Sequence, residues 1–85
     1  MTINNVKRGM LAKSKAGHDK GNIYVIYDVD DTYVYLIDGK IRKIENPKKK
    51  KIKHVQNICK EHEITGLDDV GIKRILKLFD KEWEE

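Results

Sequence analysis

Apolar and polar positions alternate through the first two thirds of the chain with the period of β-strands, and then recur near its end with the period of a helix. Residues 10–14, Met10-Leu11-Ala12-Lys13-Ser14, predict a short first strand. Residues 22–29 put Ile23, Val25, Tyr27 and Val29 on one face and Tyr24 and Ile26 on the other, in β-branched and aromatic side chains that suit a pleated surface. Asp30-Asp31 favours a turn, and the third strand follows at 32–37, which predicts a tight antiparallel hairpin. Asp38-Gly39 is a second hairpin signal, because a type I′ turn needs positive φ at both central positions. Residues 41–44 are then the fourth strand, ended by Glu45-Asn46-Pro47, and Ile52-Lys53-His54-Val55 is a shorter fifth.

Between the first two strands, residues 15–21 contain Gly17 and Gly21 and little apolar material, and read as a loop. Residues 57–66 read as a linker. From Leu67 the period lengthens: Asp68 is the expected N-cap and Asp69 sits favourably at the positive end of the helix dipole. Ile72, Ile75, Leu76, Phe79 and Trp83 form one stripe, with Lys73, Arg74, Lys77, Asp80 and Lys81 largely off it. An isolated helix of this length is marginal in water, so the stripe is expected to cover an end of the sheet structure, or failing that a groove on a partner. Short strands joined by turns are best stabilised by closing the sheet and hiding its edges. The expected fold is one mainly β domain: a small five-stranded antiparallel barrel over 1–56, the linker 57–66, and an amphipathic helix over 67–83.

Length narrows the function. A chain of 85 residues buries only roughly 60% of its unfolded surface, so a deep catalytic cleft would compete with the core for apolar side chains. No apolar run of about 18 residues is present to form a membrane-spanning helix. The opening Met-Thr-Ile-Asn-Asn-Val-Lys-Arg lacks the apolar centre of a signal peptide, and the single Cys59 suits a reducing compartment; the expected location is the cytoplasm.

Charge is unevenly placed. Through Gln56 there are 13 Lys and Arg against 6 Asp and Glu, a surplus of +7, whereas the remainder carries 5 against 8, a deficit of −3, giving the net +4. A positive field confined to one part of a small fold attracts polyanions, which makes nucleic acid the first partner to consider.

Arg8-Gly9, the alternation through Lys15, then Gly17-His18-Asp19-Lys20-Gly21 and the apolar resumption Ile23-Tyr24-Val25-Ile26 resemble the KOW motif, with Gly21 at its defining glycine and Lys20 at its preceding basic residue. The continuation through Asp38-Gly39-Lys40-Ile41-Arg42-Lys43-Ile44 to Pro47-Lys48-Lys49-Lys50-Lys51 is similar to small bacterial KOW proteins that resemble archaeal and eukaryotic large-subunit ribosomal proteins. The resemblance covers about Val6 to Val55. It implies an SH3-like barrel that binds RNA, often ribosomal RNA, with ribosomal proteins as further partners.

The residues themselves support the same expectation. Lys13, Lys15, His18 and Lys20 surround a loop whose Gly17 and Gly21 allow close backbone approach to phosphates, and Lys40, Arg42 and Lys43 are expected on the same rim. Lys48, Lys49, Lys50, Lys51 and Lys53 are the densest charge, either an extension of that face or a solvated loop. Arg42 can add a bidentate phosphate contact or stack on a base. Tyr24, Tyr27, Tyr33 and Tyr35 either pack in the barrel wall or, where one faces outward, stack on bases.

Chemistry is poorly represented. Asp28, Asp30 and Asp31 suggest a calcium loop, but its twelfth position is Gly39 where a bidentate Glu is required. His54, Cys59 and His62 offer three soft ligands where a structural zinc site takes four. No P-loop, nucleophile elbow or dinucleotide fingerprint occurs. The expectation is a non-catalytic RNA-binding module, monomeric when free, without cofactor, metal or membrane contact. The alternative is an adaptor that docks to a ribosomal or transcription partner through the helix or the acidic Glu82-Trp83-Glu84-Glu85 end.

Overall fold

The computed structural model describes residues 6–83, apart from the side chains of residues 59–61 and 80–83. Five strands, β1 (Met10–Ser14), β2 (Ile23–Val29), β3 (Tyr33–Ile37), β4 (Lys48–Lys51) and β5 (Val55–Glu61), form one antiparallel sheet in the order β4-β3-β2-β1-β5. It is curled into a half-barrel, and helix α1 (Asp69–Trp83) packs on it. The mainly β architecture with a C-terminal amphipathic helix is the one expected, with β4 and β5 left as the two edges.

Both faces of the sheet are buried at its centre, which is why β1, β2 and β3 contain consecutive apolar residues there rather than a clean alternation. Met10, Ala12, Tyr24, Ile26, Val34, Leu36 and Val55 fill the inside of the curl. Leu11, Val25 and Ile37 point outward and meet Ile64, Ile72 and Phe79. Each such aliphatic side chain, fully buried, contributes roughly 1.5–3 kcal/mol. The helix therefore covers the outer face of the sheet, not a barrel end. Its stripe is as expected through Phe79, with Ile72 and Phe79 buried and Ile75 and Leu76 half-buried; the Trp83 side chain lies outside the described residues. Asp68 caps α1, its Oδ1 accepting the Gly71 N–H at 3.0 Å.

The predicted fourth strand at 41–44 is absent, and Ile41 is 83% exposed. Only Gly39, not Asp38, has positive φ, so no type I′ hairpin forms. Instead the Asp38 carboxylate accepts the N–H groups of Lys40 and Arg42 at 2.8 and 2.9 Å, folding 38–42 into a closed loop. That loop reaches the helix: the Ile44 N–H donates to Asp69 Oδ1 at 2.9 Å, and a Cβ at Gly39 would collide with the Asp69 carbonyl.

The strand that pairs with β3 is the lysine run, with Tyr33 opposite Lys51 and Leu36 opposite Lys48. Lysine-rich strands belong at sheet edges, where charge blocks pairing with other chains. The expected fifth strand at 52–55 is a 3-10 turn, Ile52–His54, and β5 begins at Val55, so residues 57–61 are strand rather than linker. The 3-10 turn spans the gap between the two edges, tied by Ile52 N–H to the Thr32 carbonyl and by Lys15 N–H to the His54 carbonyl. A bulge between Ile26 and Asp28 turns Val29 inward, away from the face expected for it, so that it packs with the inner cluster.

Candidate functional site

The loop after β1 folds back on itself. Gly17 and Gly21 adopt φ of 88° and 94°, Gly21 N–H donates to the Ser14 carbonyl at 2.8 Å, and Asn22 N–H donates to the Asp19 carbonyl at 2.9 Å. No Cβ neighbour lies near Gly21, so glycine is required there by backbone conformation alone.

This conformation turns Asp19 inward, where it is 8% exposed. Its Oδ1 accepts from Ser14 Oγ at 2.9 Å and Lys50 Nζ at 3.0 Å; its Oδ2 meets Lys48 Nζ at 3.0 Å and the Tyr24 hydroxyl at 3.1 Å. Lys50 Nζ also donates to the Ala16 carbonyl at 2.9 Å. Burial pushes the Asp19 carboxyl up, but the hydrogen bonds from Lys50, Lys48, Ser14 and Tyr24 together outweigh it and hold Asp19 well below the usual carboxylate range. Burial and the contact with Asp19 also raise the Tyr24 phenol. The cluster is a clasp that fastens the loop to β4, and sequence reasoning did not single out its hub.

The clasp divides the lysine run. Lys48 and Lys50 point inward to Asp19, while Lys49 and Lys51 point outward. Of the other expected RNA contacts, Lys13 is exposed on β1 opposite Ile23, and Lys15, Gly17, His18 and Lys20 are exposed on the loop. Lys43 and Lys53 are exposed separately, and Arg42 is half-buried beside the Asp38 loop.

Two of the expected residues, Gly21 and Lys40, come together at an open groove of about 850 Å³ between the β2 end of the sheet and α1. The opposite wall carries Lys73, Arg74 and Lys77, all exposed. Ile23, Ile41, Val70 and Leu76 form its apolar lining. Asp38 is the one acid among the described residues that line it, and its Oδ1 is already engaged by two backbone N–H groups. The helix cations were legible as a cluster off the apolar stripe, but only the docking of α1 on the outer face aims them at Lys40.

Among the described residues no three His, Cys, Asp or Glu side chains are grouped to hold a metal, and the Cys59 side chain lies outside the description. Among these residues, too, no helix is long and apolar enough to cross a membrane. No protein-family model matches the chain, and no curated protein matches it.

Proposed function

We propose that this protein is a non-catalytic RNA-binding module of the KOW type that grips phosphates of structured RNA, ribosomal RNA being the kind the resemblance implies. The observation that supports it best is the groove: Lys40, Lys73, Arg74 and Lys77 surround an open cleft, and Asp38, the one carboxylate among its described lining residues, is internally engaged. Cations converging from separate elements raise the local potential where field lines are focused, which suits a polyanion. The exposed Lys13, Lys15 and Lys20 extend the positive surface from Gly21 along the adjoining loop, with His18 exposed among them.

Contacts of this kind position RNA by backbone and shape rather than by reading sequence. Binding of a ribosomal RNA fragment should weaken steeply with salt, by roughly 0.7 to 0.9 log units per log salt for each phosphate neutralised. Lys73→Glu with Lys77→Glu should weaken binding and flatten that slope while the melting temperature holds. Binding unchanged by the double reversal would refute the groove as the RNA site.

A second reading rests on Ile41 and Val70, which are 83% and 55% exposed beside these cations. An acidic amphipathic segment of a ribosomal or transcription partner would satisfy both, and the protein would then be an adaptor. Retention on ribosomes that survives nuclease treatment favours this reading, and loss of retention favours the first.

A further inference from the structure

We infer that the outer face of β3 and β4 stacks unpaired bases of a single-stranded RNA segment; this rests on the RNA-binding reading and names the form of RNA bound. Of the four tyrosines only Tyr24 is buried, at 4% exposure, inside the curl. Tyr33 and Tyr35 point the other way, on the same face as Ile37, but the helix cluster includes Ile37 and neither tyrosine, so both rings stay half-exposed.

Cations frame these rings. Tyr33 pairs across the ladder with Lys51 and Tyr35 with Lys49, and Lys49 Nζ stands 4.3 Å from the centre of the Tyr33 ring. At the flank, Tyr27 faces outward like Val25; Arg8 lies 5.4 Å over its ring and donates from Nε to the Tyr27 carbonyl at 3.0 Å. Two acids of this hairpin, Asp28 and Asp30, are internally engaged, which leaves Asp31 exposed in the turn: Asp28 accepts the Val29 N–H, and Asp30 accepts the N–H groups of Thr32 and Tyr33 and the Tyr35 hydroxyl. The last of these bonds pins the Tyr35 ring, which lowers the entropy lost when a base settles on it.

Rings two residues apart along a strand are spaced by roughly 7 Å, enough for each to take a separate base. Alternating aromatic and cationic side chains match the alternation of base and phosphate, and stacking of this kind tolerates any sequence. A duplex keeps its bases stacked inside and cannot use such a surface. A proline-rich peptide is the competing occupant of an aromatic face, but its proline-rich core carries no anionic group to pair with Lys49, Lys51 and Arg8.

The test compares a short single-stranded oligouridylate with an RNA duplex of equal length on the full chain. Tyr33→Leu with Tyr35→Leu should weaken the single strand roughly tenfold or more and leave the duplex unchanged, while Tyr33→Phe with Tyr35→Phe, which keep the rings, retain binding. If the leucine pair binds the single strand like wild type while Lys73→Glu with Lys77→Glu weakens both RNAs, the stacking face is refuted and the RNA reading survives. If wild type binds neither RNA at low salt, both fail together. Shifts of the Tyr33 and Tyr35 ring resonances on adding a polyproline peptide, without shifts on adding oligouridylate, would overturn the assignment in favour of a peptide site.

Discussion

Asp19 and Lys50 meet at 3.0 Å across 31 positions of sequence, and their contact joins the loop after β1 to the edge strand β4. Lys50 is 11% exposed and Asp19 8%, so the pair is largely withdrawn from water. Ser14, Tyr24 and Lys48 occupy the remaining acceptor capacity of the carboxylate, which is the condition under which a buried charge is tolerated.

Replacing Asp19 with Asn leaves two lysines facing a neutral amide. Lys48, at 27% exposure, can turn to solvent, whereas Lys50 cannot without opening the loop. The expected cost is about 2–3 kcal/mol, below the roughly 3–5 kcal/mol of a fully buried pair. Urea denaturation measures it; a loss under about 0.5 kcal/mol would mean that the clasp does not stabilise the fold.

The same carboxylate sets an acid limit. Its folded pKa lies below the unfolded value of about 3.9, so the folded state binds fewer protons and the stabilisation is complete above that value. It is lost as pH falls from there toward the lowered folded value. Stability followed between about pH 5 and pH 2 should decline in wild type and decline less in Asp19→Asn. Parallel curves for the two proteins would show that other carboxylates dominate acid unfolding.

Two glycines separate backbone strain from collision. Gly21 and Gly39 both have positive φ, at 94° and 77°, but only at Gly39 would a Cβ meet the Asp69 carbonyl and Lys73. Gly21→Ala should cost about 1–2 kcal/mol from conformation alone. Gly39→Ala should cost more, because the loop must also move off the first turn of α1. Thermal melts that rank the two in the opposite order would contradict this account.

Charge reversal should sort the lysines by role. Lys50→Glu places a second carboxylate against Asp19 and should lower the melting temperature by about 10 °C or more. Reversal of the exposed Lys73 or Lys77 should change stability by about 0.5 kcal/mol or less. An RNA-binding defect in Lys50→Glu would therefore report misfolding. Equal melting temperatures for Lys50→Glu and wild type would show that Lys50 is dispensable to the clasp.

Several features of this protein are determined locally and are legible in the chain. The first three strands and the helix announce themselves through side-chain period, the Asp30 turn through its acids, and the helix start through Asp68, whose carboxylate accepts a backbone bond from three residues on. The need for glycine at 17 and 21 is also local, since it follows from φ. The consecutive apolar residues Tyr24-Val25-Ile26 even carry the signal that both faces of the sheet are covered.

What the tertiary structure alone decided depends on partners distant in sequence. A run of identical lysines has no period to read, so its strand character and the inward aim of Lys48 and Lys50 emerge only from pairing with β3 and from Asp19. Asp38-Gly39 is ambiguous by itself, because the same dipeptide serves a hairpin or a closed loop, and contact with the first turn of α1 selects the loop. The groove likewise exists only once the helix lies on the outer face and brings Lys73, Arg74 and Lys77 opposite Lys40. Local sequence sets the elements through backbone sterics and side-chain period, whereas charge placement follows from packing, and packing is settled by the whole chain at once.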